Sequence, residues 1–197
     1  AGPSEVAIVA DKTCHPEYVA ADMLSQAEHG MDSQSILFTD NEDVARAVLA
    51  EVERQLEALP RKEMASSSLG HSRIVVLHDM EEAFGICNQY APEHLILAMD
   101  TALDWADRVV NAGSVFLGHY SCESAGDYAS GTNHTLPTSG YAKAYSGVNL
   151  DSFCRKITFQ HLTREGIESI GRAVEVMAEA ESLDAHRNAM TLRMKNR

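Results

Sequence analysis

The sequence predicts an α/β fold: a parallel sheet flanked by helices, an incomplete Rossmann-like arrangement, followed by a C-terminal helical segment. Three observations predict it. Short apolar runs alternate with helical periodicity as far as Leu117. Runs such as Ile74-Val75-Val76-Leu77 show no polar alternation, so both faces of such a strand are covered. After Gly118 the alternation stops, and the last part of the chain reads as helix alone. These observations divide the chain into an α/β domain over 1–150 and a C-terminal helical segment over 151–197.

Each element has a local reason. Val6–Ala10 is a buried strand. Pro16 suits a first helical turn and opens a helix to about Glu28, with Val19, Met23 and Leu24 inward and Gly30 as its stop. Ser35–Thr39 is the second strand. Asp40 or Asn41 caps a helix through Leu59, with Val44, Val48, Val52 and Leu56 at helical spacing, and Pro60 ends it. Arg73–Leu77 is the third strand, and Asp79 caps a helix to about Tyr90. Leu95–Ala98 is the fourth strand; Thr101 caps Ala102–Val110; Ser114–Leu117 is the fifth strand. Gly118 to about Asp151 is loop-rich. From about His161 a helix carries Leu162, Ile167, Ile170, Val174 and Met177 on one stripe, and Leu183–Met194 forms a second helix that depends on packing.

With 197 residues and 45% hydrophobic content, the chain can bury a core of ordinary size. Its formal net charge of -13 repels nucleic acid and anionic membrane, so neither is expected as a partner. No run approaches the ~20 apolar residues of a membrane span. The first residues lack the basic region and apolar core of a signal peptide. They enter the run Val6–Ala10 almost at once, as if a strand were met mid-fold, which predicts a fragment of something longer. The four cysteines are widely separated and form no CxxC pair, so reduced thiols in a cytoplasmic protein are expected.

The segment Gly126–Thr138 holds the densest polar chemistry: Asp127, Tyr128, Asn133 and His134 among glycine, serine, threonine and proline. Its composition predicts a loop held for a purpose, or an ordinary polar surface loop. Gln26 and His29, three apart near a helix end, share a face and suit either a solvated end or one common ligand. Glu93 and His94 follow Pro92; both suit proton transfer, and both also suit a capping acid and a satisfied histidine. In an extended segment they point opposite ways, so a shared role needs an irregular backbone. Scattered residues of the types of Gln26, His29, Asp127 and His186 could make a mixed nitrogen and oxygen site that suits zinc or its borderline neighbours, but their spacing alone does not bring them together. No GxGxxG follows a strand and no phosphate loop is present.

Six blocks together resemble the histidinol dehydrogenase family: Ala-Gly-Pro-Ser-Glu at 1–5, Ser-Gln-Ala-Glu-His-Gly at 25–30, Ala-Pro-Glu-His-Leu at 91–95, Asn-Ala-Gly-Ser-Val-Phe-Leu-Gly at 111–118, Glu-Ser-Ala-Gly-Asp-Tyr-Ala-Ser-Gly-Thr-Asn-His at 123–134, and Ala-Glu-Ser-Leu-Asp-Ala-His at 180–186. They stand in family order along the whole chain. The resemblance implies oxidation of L-histidinol through histidinaldehyde to L-histidine, with reduction of NAD and one zinc per site. It implies Gln26, His29, Asp127 and His186 as zinc ligands, and Glu93 and His94 as the acid–base pair. Ser4, Tyr128, His134 and Glu181 become substrate contacts. It further implies a homodimer whose last helical segment is exchanged, so that Glu181 and His186 serve the partner's site. The family's enzymes are longer and begin upstream of residue 1, where the NAD contacts are expected. A non-catalytic metal-binding or dimerisation module on the same scaffold is the alternative.

Overall fold

In the computed structural model, residues 3–195 are described. Five strands form one parallel sheet in the order β3-β2-β1-β4-β5: β1 is Glu5–Ala10, β2 Gln34–Thr39, β3 Arg73–Val76, β4 His94–Ala98 and β5 Ser114–Leu117. β1 lies in the middle because every residue in it is apolar or sheltered, and all six are buried. Its alternate side chains feed two cores. Val6, Ile8 and Ala10 pack with α1 (Pro16–Ala27) and α2 (Glu42–Leu56), through Val19, Met23, Leu24, Val44, Val48 and Val52. Ala7 and Val9 pack on the opposite face with α4 (Met80–Tyr90) and α5 (Ala102–Trp105), through Ala83, Phe84, Cys87 and Ala102. The predicted α/β class, with helices on both faces of a parallel sheet, is therefore what the chain adopts.

Several boundaries differ from expectation. α2 ends at Leu56, not Leu59, and a further helix not predicted from the sequence, α3 (Lys62–Leu69), follows the break at Pro60. Pro60 stops one helix, but nothing after it opposes another, and Ser68 is held by its hydroxyl donating to the Ser33 carbonyl. The predicted helix Ala102–Val110 is only α5 and a 3-10 turn over Ala106–Arg108. The expected loop after Gly118 contains α6 (Glu123–Tyr128), so Gly126, Asp127 and Tyr128 are helical. Its glycine is tolerated because Gly126 lies flush against Phe116 of β5.

The chain divides into two compact units, the first ending at Phe153 and the second starting at Cys154. The second contains α7 (Arg164–Ala180) and α8 (Asp184–Lys195), packed together with Met194 against Gly171. On α7 only Ile167 and Val174 of the expected stripe are half-buried; Leu162, Ile170 and Met177 are exposed. No helix among the described residues is long and apolar enough to cross a membrane.

Candidate metal and acid–base site

The site is built at the amino ends of β1 and β4, not at the carboxyl ends where ligands of open parallel sheets usually lie. His94 is the first residue of β4; it pairs with Val6 on one side and Ser114 on the other. α4 closes on Ala91 in the left-handed region (φ 57), a conformation that strains a residue with a Cβ and turns the chain sharply into Pro92 and Glu93. Behind Glu93 the backbone of Gly113 approaches so closely that a Cβ there would lie 2.5 Å from the Glu93 carbonyl oxygen. The amides of Gly113 and Ser114 donate to the carbonyls of Pro92 and Glu93.

Glu93 and His94 do converge, although they are neighbours in sequence. Glu93 stands just before the strand, and its carboxylate turns back along the sheet edge. Its Oε2 accepts from the Ser4 hydroxyl at 3.0 Å and the Glu5 amide at 2.9 Å, and lies 3.6 Å from His94 Nδ1. The His94 Nδ1 is 3.2 Å from the Glu5 carbonyl oxygen, which can only accept. Nδ1 therefore carries the proton, and Nε2 keeps its lone pair. That Nε2 is buried, has no hydrogen-bond partner and faces Asp127 Oδ1 at 3.7 Å.

α6 supplies two carboxylates from one face, because Glu123 and Asp127 are four residues apart. Glu123 Oε1 is 3.7 Å from His29 Nε2 and 3.9 Å from His94 Nδ1. Donor atoms of His29, Glu123 and Asp127 all lie within 4.8 Å of one another. The sequence reading missed Glu123. The signal was its four-residue spacing from Asp127, which is visible only once that segment is read as helix.

Burial dominates the electrostatics. It pushes the Glu123 carboxyl up to about 9, helped by the charges of Asp127, Glu93 and Asp22. Burial also raises Glu93, against the Glu5 amide and the Ser4 hydroxyl, which favour its anion. It lowers His94, which holds that imidazole neutral. Among the described residues, the ion-pair partners of Glu93, Glu123 and Asp127 are histidines and never Lys or Arg.

The other expected site residues fall as follows. Gln26 is fully buried rather than solvated, and neither amide atom has a hydrogen-bond partner. Ser4 is tied to Glu93. Tyr128 ends α6 and is 85% exposed. His134 is exposed, in the loop beyond α6, close enough for its charge to lower His94. That loop returns to the site edge, where the Ser139 amide donates to Glu5 Oε1 at 2.9 Å. Glu181, the residue after α7, and His186, in α8, belong to the second unit.

A cation fits this donor set. One imidazole at an exposed edge and two carboxylates are hard and borderline donors that suit zinc or a similar dication. The unpartnered Gln26 amide and Glu123 Oε2 are buried polar atoms of the kind a bound ion satisfies.

The chain matches the family model for histidinol dehydrogenase over residues 1–194. It is 59% identical over 194 residues to the histidinol dehydrogenase of Bacteroides thetaiotaomicron, covering 98% of this chain and 45% of that protein. It is 57% identical over 197 residues to the chloroplastic histidinol dehydrogenase of Oryza sativa subsp. japonica, covering 100% of this chain and 42% of that one. The crystal structure of histidinol dehydrogenase from Elizabethkingia anophelis superposes with a TM-score of 0.92 at 59% identity, over 99% of this chain and 45% of that one. The chain thus spans under half the length of these relatives, and it belongs to the histidinol dehydrogenase family.

Proposed function

We propose that this chain is the metal- and base-bearing part of a histidinol dehydrogenase, which oxidises L-histidinol through histidinaldehyde to L-histidine with reduction of two NAD. One observation carries the reading: His29 from the turn after α1, Glu93 and His94 at the start of β4, and Glu123 and Asp127 of α6 are linked by contacts of 3.6–3.9 Å.

Gln26, His29 and Asp127 would hold zinc, with His186 of the exchanged segment as a further ligand in a homodimer. Bound there, zinc would supply a template for the imidazole and amino group of the substrate, not a redox centre. His94 acts as the base at Nε2. Its Nδ1–H is anchored on the Glu5 carbonyl, so the free lone pair takes the hydroxyl proton of the alcohol as hydride leaves to NAD. Glu93 then removes a proton from the water that adds to the aldehyde. Its position is fixed by Ser4 and the Glu5 amide, and its raised affinity for protons makes it a better base than a solvated carboxylate. Ser4, Tyr128, His134 and Glu181 are assigned to substrate contact. The free, widely separated thiols support a cytoplasmic protein.

The test separates the two oxidations. In the full-length enzyme, Glu93→Gln should retain alcohol-to-aldehyde turnover and lose aldehyde-to-acid turnover by about 100-fold or more. Equal rates for both steps in the variant and the parent would overturn the assignment of Glu93.

A further inference from the structure

We propose that Glu5 is a positioning residue: its carboxylate seats the segment that carries His134 against the acid–base pair, an assignment that rests on the reading of the site given above. The backbone of the same residue holds Glu93 and His94, so one position on β1 joins the base-bearing strand edge to the segment beyond α6.

Three groups of Glu5 reach three places. Its amide donates to Glu93 Oε2 at 2.9 Å, its carbonyl oxygen lies 3.2 Å from His94 Nδ1, and its Oε1 accepts from the Ser139 amide at 2.9 Å. The first two belong to the backbone and survive any side chain at this position. Only the third depends on the carboxylate, and it joins residues 134 apart in sequence. The segment so held runs close past the acid–base pair. A Cβ at Gly113 would lie 2.5 Å from the Glu93 carbonyl oxygen and 3.1 Å from Leu136 Cβ, so Glu93 and Leu136 both press on Gly113. His134 stands two residues before Leu136, and its charge reaches His94. One end of this segment is tied to α6, where the Thr132 hydroxyl donates to the Gly126 carbonyl at 3.1 Å; Ser139 on Glu5 is the other tie.

Both partners of that hydrogen bond are costly to place. Glu5 is 6% exposed, in a strand whose remaining residues are Val, Ala and Ile, and its Oε2 has no hydrogen-bond partner. Burial raises its carboxyl above the ordinary range, against the Ser139 and Glu93 amides, which favour the anion. An apolar side chain would seat this strand with less penalty, so the worth of the carboxylate lies in what it holds. The turn that meets it is strained. Thr138–Tyr141 closes with the Tyr141 amide donating to the Thr138 carbonyl at 3.0 Å, and both central residues take a left-handed φ, 56° at Ser139 and 75° at Gly140. Glycine adopts that φ freely and serine does not. The strain at Ser139 falls on the residue whose amide meets Glu5, as expected where surrounding contacts hold a backbone in place for a purpose.

Steady-state kinetics of the full-length enzyme with L-histidinol separate positioning from folding. Glu5→Ala should raise KM for L-histidinol by about tenfold or more and leave kcat within about threefold, because the backbone of residue 5 still holds Glu93 and His94. Glu5→Gln keeps an oxygen for the Ser139 amide, so its KM should stay within about threefold of the parent. A purely structural glutamate would lower kcat in step with the folded fraction and leave KM alone. That result, or E5Q as impaired in KM as E5A, overturns the assignment of Glu5 and leaves the reading of the site standing. A parent enzyme that does not oxidise L-histidinol overturns both. If circular dichroism shows that E5A does not fold, Gly140→Ala decides, because it strains the turn at a φ of 75° without touching β1. A comparable rise in KM supports the assignment, and an unchanged KM overturns it.

Discussion

Asp22 shows how one side chain sets a pH response. It lies on α1, facing the cleft of about 490 Å3 that Tyr18, Ser25, His119 and Cys122 also line. Burial alone pushes its carboxyl up to about 7 from an ordinary 3.8. Between those two values the folded chain holds a proton that the unfolded chain has released. The folded state is therefore favoured on the acid side, and its advantage shrinks as pH rises from about 4 to about 7. Glu5, Glu93 and Glu123 are raised in the same direction and add to the slope. Asp22→Asn removes one contributor without changing shape. Thermal melts of the metal-free chain at about pH 5 and about pH 8 should show a smaller loss of Tm in D22N than in the parent, by a few degrees. Equal losses would mean that Asp22 ionises in the fold as freely as in water.

α6 is the element on which the site turns, and it is also the element the sequence concealed. The strands were legible because their runs are apolar on both faces; Val6–Ala10 and Leu95–Ala98 admit little else. α2 was legible because Val44, Val48 and Val52 recur every fourth residue and Asn41 caps it, accepting from the Asp43 and Val44 amides. Glu-Ser-Ala-Gly-Asp-Tyr has no apolar stripe, contains glycine and leads into a Gly-Thr-Asn segment, so intrinsic propensity argues for loop. Tertiary packing on Phe116 overrides that preference, and the same misreading hid the pairing of Glu123 with Asp127. The location at the amino ends of β1 and β4 was visible in the placement of Pro92-Glu93-His94 before the strand; its convergence was not, because the left-handed turn at Ala91 has no sequence mark. If the contact with Phe116 is what seats α6, then Gly126→Ala has nowhere to place its methyl group. It should destabilise the first unit by about 1–3 kcal/mol, read from urea unfolding. It should also weaken Co2+ binding, because Asp127 moves with the helix. A variant as stable as the parent, with unchanged Co2+ affinity, would show that α6 is not held by this contact.

At the scale of the whole molecule, the proposed ligands and substrate contacts are divided between two units of one chain. Gln26, His29, Glu93, His94 and Asp127 lie in the first unit, while Glu181 and His186 lie in the second. The proposed exchange makes a strong prediction from that division, because each site then takes Glu93 from one subunit and His186 from the other. Two full-length variants that lose aldehyde oxidation, Glu93→Gln and His186→Ala, can be dissociated, mixed and reassociated. In a hybrid dimer with exchange, one site collects both substitutions and the other collects neither. Random pairing gives about half hybrids, each with one intact site of two, so the mixture should recover about one quarter of the parent activity in aldehyde oxidation. Without exchange every site keeps one substitution, and mixing recovers nothing. Each variant reassociated alone sets the baseline, and sedimentation confirms that dimers have re-formed. Recovery near one quarter would assign His186 to the partner's site; a mixture no more active than its components would place Glu93 and His186 of one chain in the same site, or remove His186 from the chemistry.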